Sequence, residues 1–226
     1  MQSKTLSVGG REIVLAGNTD APYRFLIPGG PEGDSLLKTA ELLAALAPGR
    51  DFLFIGFPVS DWDRELTPWK APAVFGGRAF GDGAPGTLAF IKEELLPAAD
   101  AACSPKRART FLCGYSLAGL FALWAWYGTD LFAGCAAVSP SLWYPGWPAY
   151  AKAANPGQGP VYLSLGDREA KTRNPVMAAV EDRVRAQYEL LKRQGVPVRF
   201  EQNPGNHFFE SEKRMAKAMA ALMEMA

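Results

Sequence analysis

Histidine is nearly absent from this sequence of 226 residues, which contains only His207. A metal site built from several histidines is therefore excluded, and we expect neither a metal ion nor another cofactor. An excess of charge of one sign is also lacking, because 24 Lys and Arg residues balance 23 Asp and Glu residues. Without a basic excess the chain has no electrostatic basis for binding a phosphate backbone, so we expect no nucleic-acid partner.

Cysteine and long hydrophobic runs are scarce as well. The three cysteines, Cys103, Cys113 and Cys135, lack CxxC spacing, so we expect buried, reduced thiols and a cytoplasmic protein. The most apolar stretch, residues 111–127, is interrupted by glycine and serine and is shorter than the roughly 20 apolar residues that a membrane-spanning helix needs. The N-terminus lacks the apolar segment of a secretion signal. We therefore expect no membrane span.

Apolar runs alternate with helical patterns along the chain. Glycines between residues 6–8 and 13–15 predict an N-terminal hairpin. Continuous hydrophobicity in the central runs is typical of strands that are covered on both faces. The alternation predicts an α/β fold, a three-layer α/β/α sandwich with a mostly parallel sheet, in a single domain over 1–226. The predicted strands are 23–27, 51–57, 110–115, 134–138, 161–166 and 198–202, and the predicted helices are 36–47, 174–195 and 211–223.

Two segments, 58–86 and 139–160, do not follow this alternation and are rich in glycine, proline and tryptophan. Loops of this length in a compact fold are usually functional or mobile. Flat aromatic surface suits acyl or aryl groups of a ligand. The alternative is that a tryptophan anchors its loop on the sheet, and we expect this for at least half of them. The four tryptophans concerned are Trp62, Trp69, Trp143 and Trp147.

A serine stands between a predicted strand and a predicted helix in residues 110–123, TFLCGYSLAGLFAL. This is the context of a nucleophile elbow, a sharp turn that exposes a serine hydroxyl at the end of a strand. The positions two before and two after the serine must be small, and Gly114 and Ala118 occupy them. Ser116 is therefore the candidate nucleophile. The alternative is that Ser116 only caps the following helix.

A serine hydroxyl needs a positioned base to act as a nucleophile at neutral pH. His207 lies in a turn-rich loop, NPGNHF, after the last predicted strand, and is the candidate base. The alternative is a loop histidine without chemistry. Two carboxylates, Asp167 and Glu169, follow Gly166 at the end of the preceding strand and are candidates to orient the imidazole. Either of them could instead pair with neighbouring basic residues.

An oxyanion hole requires two backbone N–H groups that point at the developing negative charge. One is expected from Leu117, which follows the serine. The other is expected from Gly29 or Gly30, in the loop after the strand at 23–27. The alternative for these glycines is a plain turn.

Several of these segments together resemble the esterase family of the α/β-hydrolase superfamily that includes esterase D-type enzymes and trilactone siderophore esterases. The resemblance implies an α/β-hydrolase fold without a large cap and hydrolysis of small-molecule carboxylic esters through an acyl-serine, with Ser116 and His207 in the matching positions. In this superfamily the acid often stands three residues after such a glycine, which favours Glu169 over Asp167. The resembling segments are GYSLAGLFALWA at 114–125, VSPSLWY at 138–144, LGDREAKTRNPVM at 165–177, NPGNHF at 203–208 and, more loosely, DRELTPW at 63–69.

Four residues are candidates for substrate binding. Arg64 matches a loop of the family and is suited to a polar or anionic substrate group, with a structural ion pair as the alternative. The other three, Trp69, Tyr115 and Trp143, offer aromatic surface near the serine. The sequence makes no prediction of the oligomeric state.

Three basic residues of the last predicted helix, Lys213, Arg214 and Lys217, are expected to form a solvated face. Two functions other than ester hydrolysis fit the same fold. An acyltransferase would use an acceptor alcohol instead of water, and a binding module would use the fold without catalysis. The presence of both Ser116 and His207 favours an enzyme.

Overall fold

A computed structural model, which describes residues 3–29, 33–104 and 108–226, contains an eight-stranded sheet. Its strands are β1 (Ser3–Val8), β2 (Arg11–Gly17), β3 (Tyr23–Gly29), β4 (Phe52–Pro58), β5 (Arg109–Tyr115), β6 (Cys135–Val138), β7 (Val161–Gly166) and β8 (Val198–Asn203). They lie in the order β1-β2-β4-β3-β5-β6-β7-β8. The pairs β1–β2 and β2–β4 are antiparallel, and the pairs from β4 through β8 are parallel. The predicted α/β fold with a mostly parallel sheet is therefore confirmed.

Helices connect the parallel strands. They are α1 (Gly33–Leu46), α2 (Trp62–Glu65), α3 (Ala84–Phe90), α4 (Leu96–Ala102), α5 (Leu117–Gly128), α6 (Trp147–Ala153), α7 (Pro175–Ala178), α8 (Val180–Arg193) and α9 (Ser211–Met225), and a π-helical segment (Ile91–Leu95) joins α3 to α4. The predicted helix at 174–195 is divided at Ala179. Asn174 caps its first part, because the side-chain oxygen accepts hydrogen bonds from the N–H groups of Val176 and Met177.

The N-terminal hairpin forms as predicted. Val8 pairs with Arg11, and the two residues between them, Gly9 and Gly10, have φ angles of 55° and 74°. Such angles at both central positions define a primed turn, which glycine adopts without steric cost. The hairpin extends the sheet at one edge.

The sheet separates two groups of buried apolar side chains. Alternate residues of β5 belong to different groups: Phe111 packs with residues of α9 such as Met219, whereas Leu112 packs with residues of α5 such as Phe121. Because successive side chains of a strand point to opposite faces, helices cover both faces of the central strands. Helix α5 is buried along most of its length, as its apolar sequence requires.

Six neighbouring strands are parallel, so their carboxyl ends lie along the same end of the sheet. The register pairs Gly29 with Pro58, Tyr115 with Val138, and Gly166 with Asn203. Segments that follow these strands are therefore brought together although they are far apart in sequence. In open parallel sheets this end is the usual place for a ligand.

The three cysteines are free and buried, as expected from their apolar surroundings. Within the described ranges, no helix has both the length and the apolar character that crossing a bilayer would require. The same ranges contain no group of three or more His, Cys, Asp or Glu side chains arranged to hold a metal ion.

Candidate active site

Ser116 occupies a strained turn between β5 and α5. Its φ and ψ angles are 59° and −121°, a region that side-chain-bearing residues rarely adopt. A residue in such a region costs about 1–3 kcal/mol and persists only where its surroundings hold it. Here Ser116 N–H donates to the carbonyl of Val138, and Ser116 C=O accepts from Ser141 N–H, both at 3.1 Å. The turn is thus fixed by the segment that follows β6.

The strand and the helix approach each other most closely at Gly114. A Cβ atom at Gly114 would lie 2.1 Å from the carbonyl oxygen of Ala118, so no side chain fits there. The methyl group of Ala118, which stands where this kind of turn usually has glycine, is accommodated and fully buried. A Cβ at Gly119 would lie 3.0 Å from the Gly114 oxygen, and a second close approach therefore occurs one residue later.

The Ser116 side chain does not cap α5. It makes no capping hydrogen bond, and its contact within the described part of the chain is with the hydroxyl of Ser141, at an Oγ–Oγ distance of 3.4 Å. A serine that served only to begin the helix would use its oxygen to accept from an N–H of the first turn. The geometry therefore does not support the capping alternative.

His207 follows β8 and lines the same cavity as Tyr115, the last residue of β5. Its Nδ1 atom is 2.7 Å from Oε2 of Glu169. Its backbone carbonyl accepts a hydrogen bond of 2.7 Å from the Tyr115 hydroxyl. Among the described residues, Nε2 of His207 has no hydrogen-bond partner. The ring therefore has one nitrogen engaged with a carboxylate and one free for a substrate or for Ser116.

Glu169 is the carboxylate that the structure brings to the imidazole. Its side chain is 3% exposed. Its other oxygen, Oε1, accepts from Gly166 N–H at 2.6 Å and from the Ser139 hydroxyl at 2.7 Å, and forms an ion pair with Arg214 at 2.9 Å. Burial alone would raise the pKa of this carboxyl, but the donors around it hold the pKa below its ordinary value. Glu169 is therefore an ionised, buried acceptor.

Asp167 has a different contact. Its Oδ1 atom accepts a hydrogen bond of 2.8 Å from Gly205 N–H, and its side chain is 49% exposed. It thus ties the loop that carries His207 to the end of β7 without touching the imidazole. Of the two carboxylates that the sequence left open, only Glu169 contacts His207.

The candidate oxyanion donors are placed unequally. Leu117, the first residue of α5, lines the same cavity as Ser116 and His207. Gly29, at the end of β3, lines an adjoining cavity of about 620 Å³. Tyr115 lines both this cavity and the one at Ser116. Gly30 lies outside the described residues, so the N–H predicted from it has no described position.

The cavity at Ser116 has a volume of about 580 Å³ and a largely apolar surface, to which several aromatic side chains contribute. Of the predicted substrate-binding residues, Tyr115 and Trp143 line it. Trp69 does not, because its Nε1 donates to the carbonyl of Pro145 and anchors its loop. Arg64 is exposed and packs its side chain where a Cβ at Gly81 would stand, away from this cavity. The lining also includes Trp62, one of the four loop tryptophans, and two aromatic residues that the sequence did not indicate, Phe75 and Phe208.

The tryptophans of the two irregular loops divide evenly between two roles. Trp62 and Trp143 line the cavity. Trp69 and Trp147 are anchors, and Nε1 of Trp147 donates to Oε1 of Gln187 at 3.0 Å. The expected anchoring was on the sheet, whereas these two hydrogen bonds join the loops to Pro145 and to Gln187 of α8.

Arg214 is the clearest error of the sequence analysis. Arg214 was expected to be solvated, but it is 2% exposed, and its guanidinium lies against Glu169. Helical spacing could have revealed this, because Arg214 stands four and seven residues before Ala218 and Ala221, which are buried on the same helix. Ser139 and Ser141 were also missed as polar contacts of the site, although both lie in the quoted segment 138–144.

Comparisons with known proteins agree on the type of fold. A family model described as "Putative esterase" matches residues 34–220. The siderophore hydrolase EstA from Aspergillus nidulans is 20% identical, with a TM-score of 0.77 over 100% of this chain and 94% of that one. The BES protein from Bacillus cereus is 17% identical, with a TM-score of 0.67 over 97% and 93%.

A further similar structure is that of the enterobactin esterase FES from Shigella flexneri, determined in the presence of 2,3-di-hydroxy-N-benzoyl-glycine. It is 16% identical, with a TM-score of 0.70 over 99% of this chain and 60% of that one. No curated protein matches the sequence. At these identities the structural neighbours establish the fold alone.

Proposed function

We propose that this chain, which belongs to the esterase family and is a carboxylesterase-type hydrolase, cleaves its substrates through an acyl intermediate on Ser116. One observation carries the proposal: a strained serine and a histidine paired with a buried carboxylate line the same cavity. These are the parts that nucleophilic hydrolysis of an ester requires.

The proposed reaction has two halves. Nε2 of His207 takes the proton of the Ser116 hydroxyl as Oγ attacks the ester carbonyl, and the imidazolium then gives this proton to the departing alcohol. Water, deprotonated by the same nitrogen, then attacks the acyl-serine, and the acid leaves as Ser116 regains its proton. Glu169 holds Nδ1 so that the free nitrogen points at the reaction, and its charge stabilises the imidazolium.

The distances between the side chains define what must change when substrate binds. Ser116 Oγ is in contact with Ser141 Oγ at 3.4 Å. In the proposed reaction the Ser116 hydroxyl turns from Ser141 to Nε2 of His207. Catalytic hydrogen bonds are often long or misaligned without substrate and tighten in the complex. We assign one oxyanion donor to Leu117 N–H, and we keep Gly29 or Gly30 as the second.

The lining of the cavity favours neutral esters with an aromatic or other apolar group. Its ionisable side chains, among the described residues, are Glu169 and His207, which pair with each other, and the phenol of Tyr115. Burial raises the pKa of Tyr115, which keeps the phenol neutral. With Arg64 outside this cavity, its described lining holds no lysine or arginine to receive an anionic substrate. The surfaces of Phe75, Trp143 and Phe208 instead suit a flat apolar group.

Helices on both faces of the sheet support the finer description of the fold as a three-layer α/β/α sandwich. The buried, free thiols support the predicted cytoplasmic location. Both remain proposals here. The contacts described above do not favour an acyltransferase or a binding module over a hydrolase.

Steady-state kinetics with p-nitrophenyl esters tests the function. We expect turnover of acetyl and longer or aromatic acyl esters, and much weaker turnover of esters with an anionic acyl group. Ser116→Ala and His207→Ala should each lower kcat by about 10³- to 10⁶-fold, because such residues act as a unit. Ser60→Ala, at an exposed serine that lines neither cavity, is the matched control. Unchanged turnover in either site variant would refute the mechanism.

A further inference from the structure

Arg214 is a buried cation in the first turn of α9. Its side chain is 2% exposed. Burying a charge carries a large desolvation penalty unless the charge is paired and hydrogen-bonded. Arg214 meets this condition on one side through Glu169, whose Oε1 lies 2.9 Å from Nη1, and through the hydroxyls of Ser139 and Tyr115, at 3.2 Å and 3.1 Å. These contacts join the guanidinium to the carboxylate that holds His207.

The other side of the guanidinium binds the loop that carries His207. Nη2 of Arg214 donates to the carbonyl of Pro204 at 2.8 Å and to that of Asn206 at 2.9 Å. Pro204 and Asn206 flank Gly205, and Asn206 immediately precedes His207. One rigid, planar group thus contacts both the acid and the backbone beside the base, which a flexible ammonium would do less well.

We propose that Arg214 is a positioning residue of the active site, which fixes Glu169 and the His207 loop relative to each other. The inference rests on the proposed function. By occupying Oε1, together with Ser139 and the Gly166 N–H, Arg214 leaves Oε2 of Glu169 to the imidazole alone. By binding the carbonyls of residues 204 and 206, it sets the distance of His207 from Ser116.

Arg214 also offsets the negative charge of Glu169. The ionisable groups that face this carboxylate within the described ranges are His207 from the loop after β8, Arg214 from α9 and Tyr115 from the end of β5. Removing the cation leaves the imidazolium as the one positive partner of the carboxylate. In the wild type the guanidinium offsets the attraction of the carboxylate for the imidazolium, so its removal must move the acid limb of the kcat/KM profile to higher pH.

Kinetics of two substitutions tests the proposal. Arg214→Met keeps much of the side-chain length without the charge, and we expect kcat to fall about 100-fold with KM within about threefold, because a displacement of about 1 Å at the reacting groups has effects of this size. The acid limb should move to higher pH. Arg214→Lys keeps the charge but not the fork, so we expect the acid limb to stay in place and kcat to be intermediate. Lys213→Met, at the adjacent exposed position, should match the wild type.

Each result has a defined meaning. If Arg214→Met folds and keeps the wild-type kcat and pH profile, Arg214 is only a structural ion pair and the proposal is wrong. If Arg214→Met does not fold, Arg214→Lys decides: a loss of kcat of at least tenfold at unchanged KM supports the proposal, and a smaller loss overturns it. An inactive wild-type protein would instead contradict the proposed function. An active wild type with unaffected Arg214 variants would contradict this inference alone.

Discussion

Two carboxylates leave the end of β7 two residues apart and have opposite surroundings. Glu169 is buried, touches the imidazole of His207 and is held by three further donors. Asp167 is half exposed and accepts from a backbone N–H of the same loop. Both contact the His207 loop, yet only one contacts the ring. Proximity to the end of a strand therefore places both residues near the site, whereas burial and the supply of donors distinguish them.

The difference follows from how the loop folds. The hydrogen bond from Gly166 N–H turns the Glu169 side chain back towards the end of β7, where Ser139 and Arg214 lie. A carboxylate in this position is stable only if it remains ionised and fully hydrogen-bonded. Asp167 lacks such surroundings and remains partly in water. Replacing each carboxylate by its amide, which removes the charge and keeps the size of the side chain, therefore tests the difference between Glu169 and Asp167.

Glu169→Gln should have the largest effect. The amide keeps the size of the side chain but removes its charge, and its NH₂ group cannot accept the Nδ1 proton, so the imidazole loses its defined tautomer. We expect kcat to fall about 10³- to 10⁴-fold. The matched control is Asp167→Asn, whose Oδ1 can still accept from Gly205 N–H, and we expect kcat within about threefold of the wild type. Ester hydrolysis by the wild type and both variants gives the loss of kcat in each variant.

The opposite ranking of these two variants would assign the orienting role to Asp167. Equal and small losses would show that His207 acts without a defined carboxylate partner. Thermal unfolding of each variant separates these outcomes from loss of the fold.

Local patterns predicted the parts of the site that one short segment specifies. Ser116 was identifiable because strand, turn and helix follow each other within residues 110–123. His207 was identifiable because it is the single histidine and follows the last strand. The order of the strands could not be read in the same way, because pairing such as that of β3 between β4 and β5 is decided by contacts between distant segments.

The polar contacts behind His207 were harder to predict. Ser139, Glu169 and Arg214 come from three segments that only the sheet brings together. A charged residue on a surface helix is usually solvated, so Arg214 was predicted to lie in water. Its position on the buried stripe of α9 was the contrary signal. Of the two residues predicted to supply the second oxyanion donor, Gly29 ends β3 and Gly30 lies outside the described structure.

Ser139→Ala should have an intermediate effect. It removes a donor at 2.7 Å from Oε1 of Glu169, and hydrogen bonds to charged groups are among the stronger ones. We expect kcat/KM to fall about tenfold. In the Glu169→Gln background the same substitution should have a much smaller effect, because the charged acceptor of the Ser139 hydrogen bond is then already lost. Additive losses in this double-mutant cycle would show that Ser139 acts independently of Glu169.

The smallest expected effect is on stability in acid. The pKa of Glu169 is below its ordinary value of 4.5 in the folded chain, because its hydrogen bonds and charged neighbours outweigh the opposing effect of burial. The carboxylate therefore stabilises the fold above this value, and the contribution is lost as the pH falls below it. Urea unfolding should show that the wild type loses more free energy of unfolding between about pH 5 and about pH 3 than Glu169→Gln does. Equal losses would contradict an ionised, stabilised Glu169.

The site of covalent modification tests the central claim most directly. A fluorophosphonate probe reacts with an activated serine, and mass spectrometry of the digested protein locates the adduct. We predict a single adduct on Ser116, with labelling slowed strongly in His207→Ala and absent in Ser116→Ala. An adduct on another residue, or labelling that persists in Ser116→Ala, would contradict the assignment of Ser116 as the nucleophile.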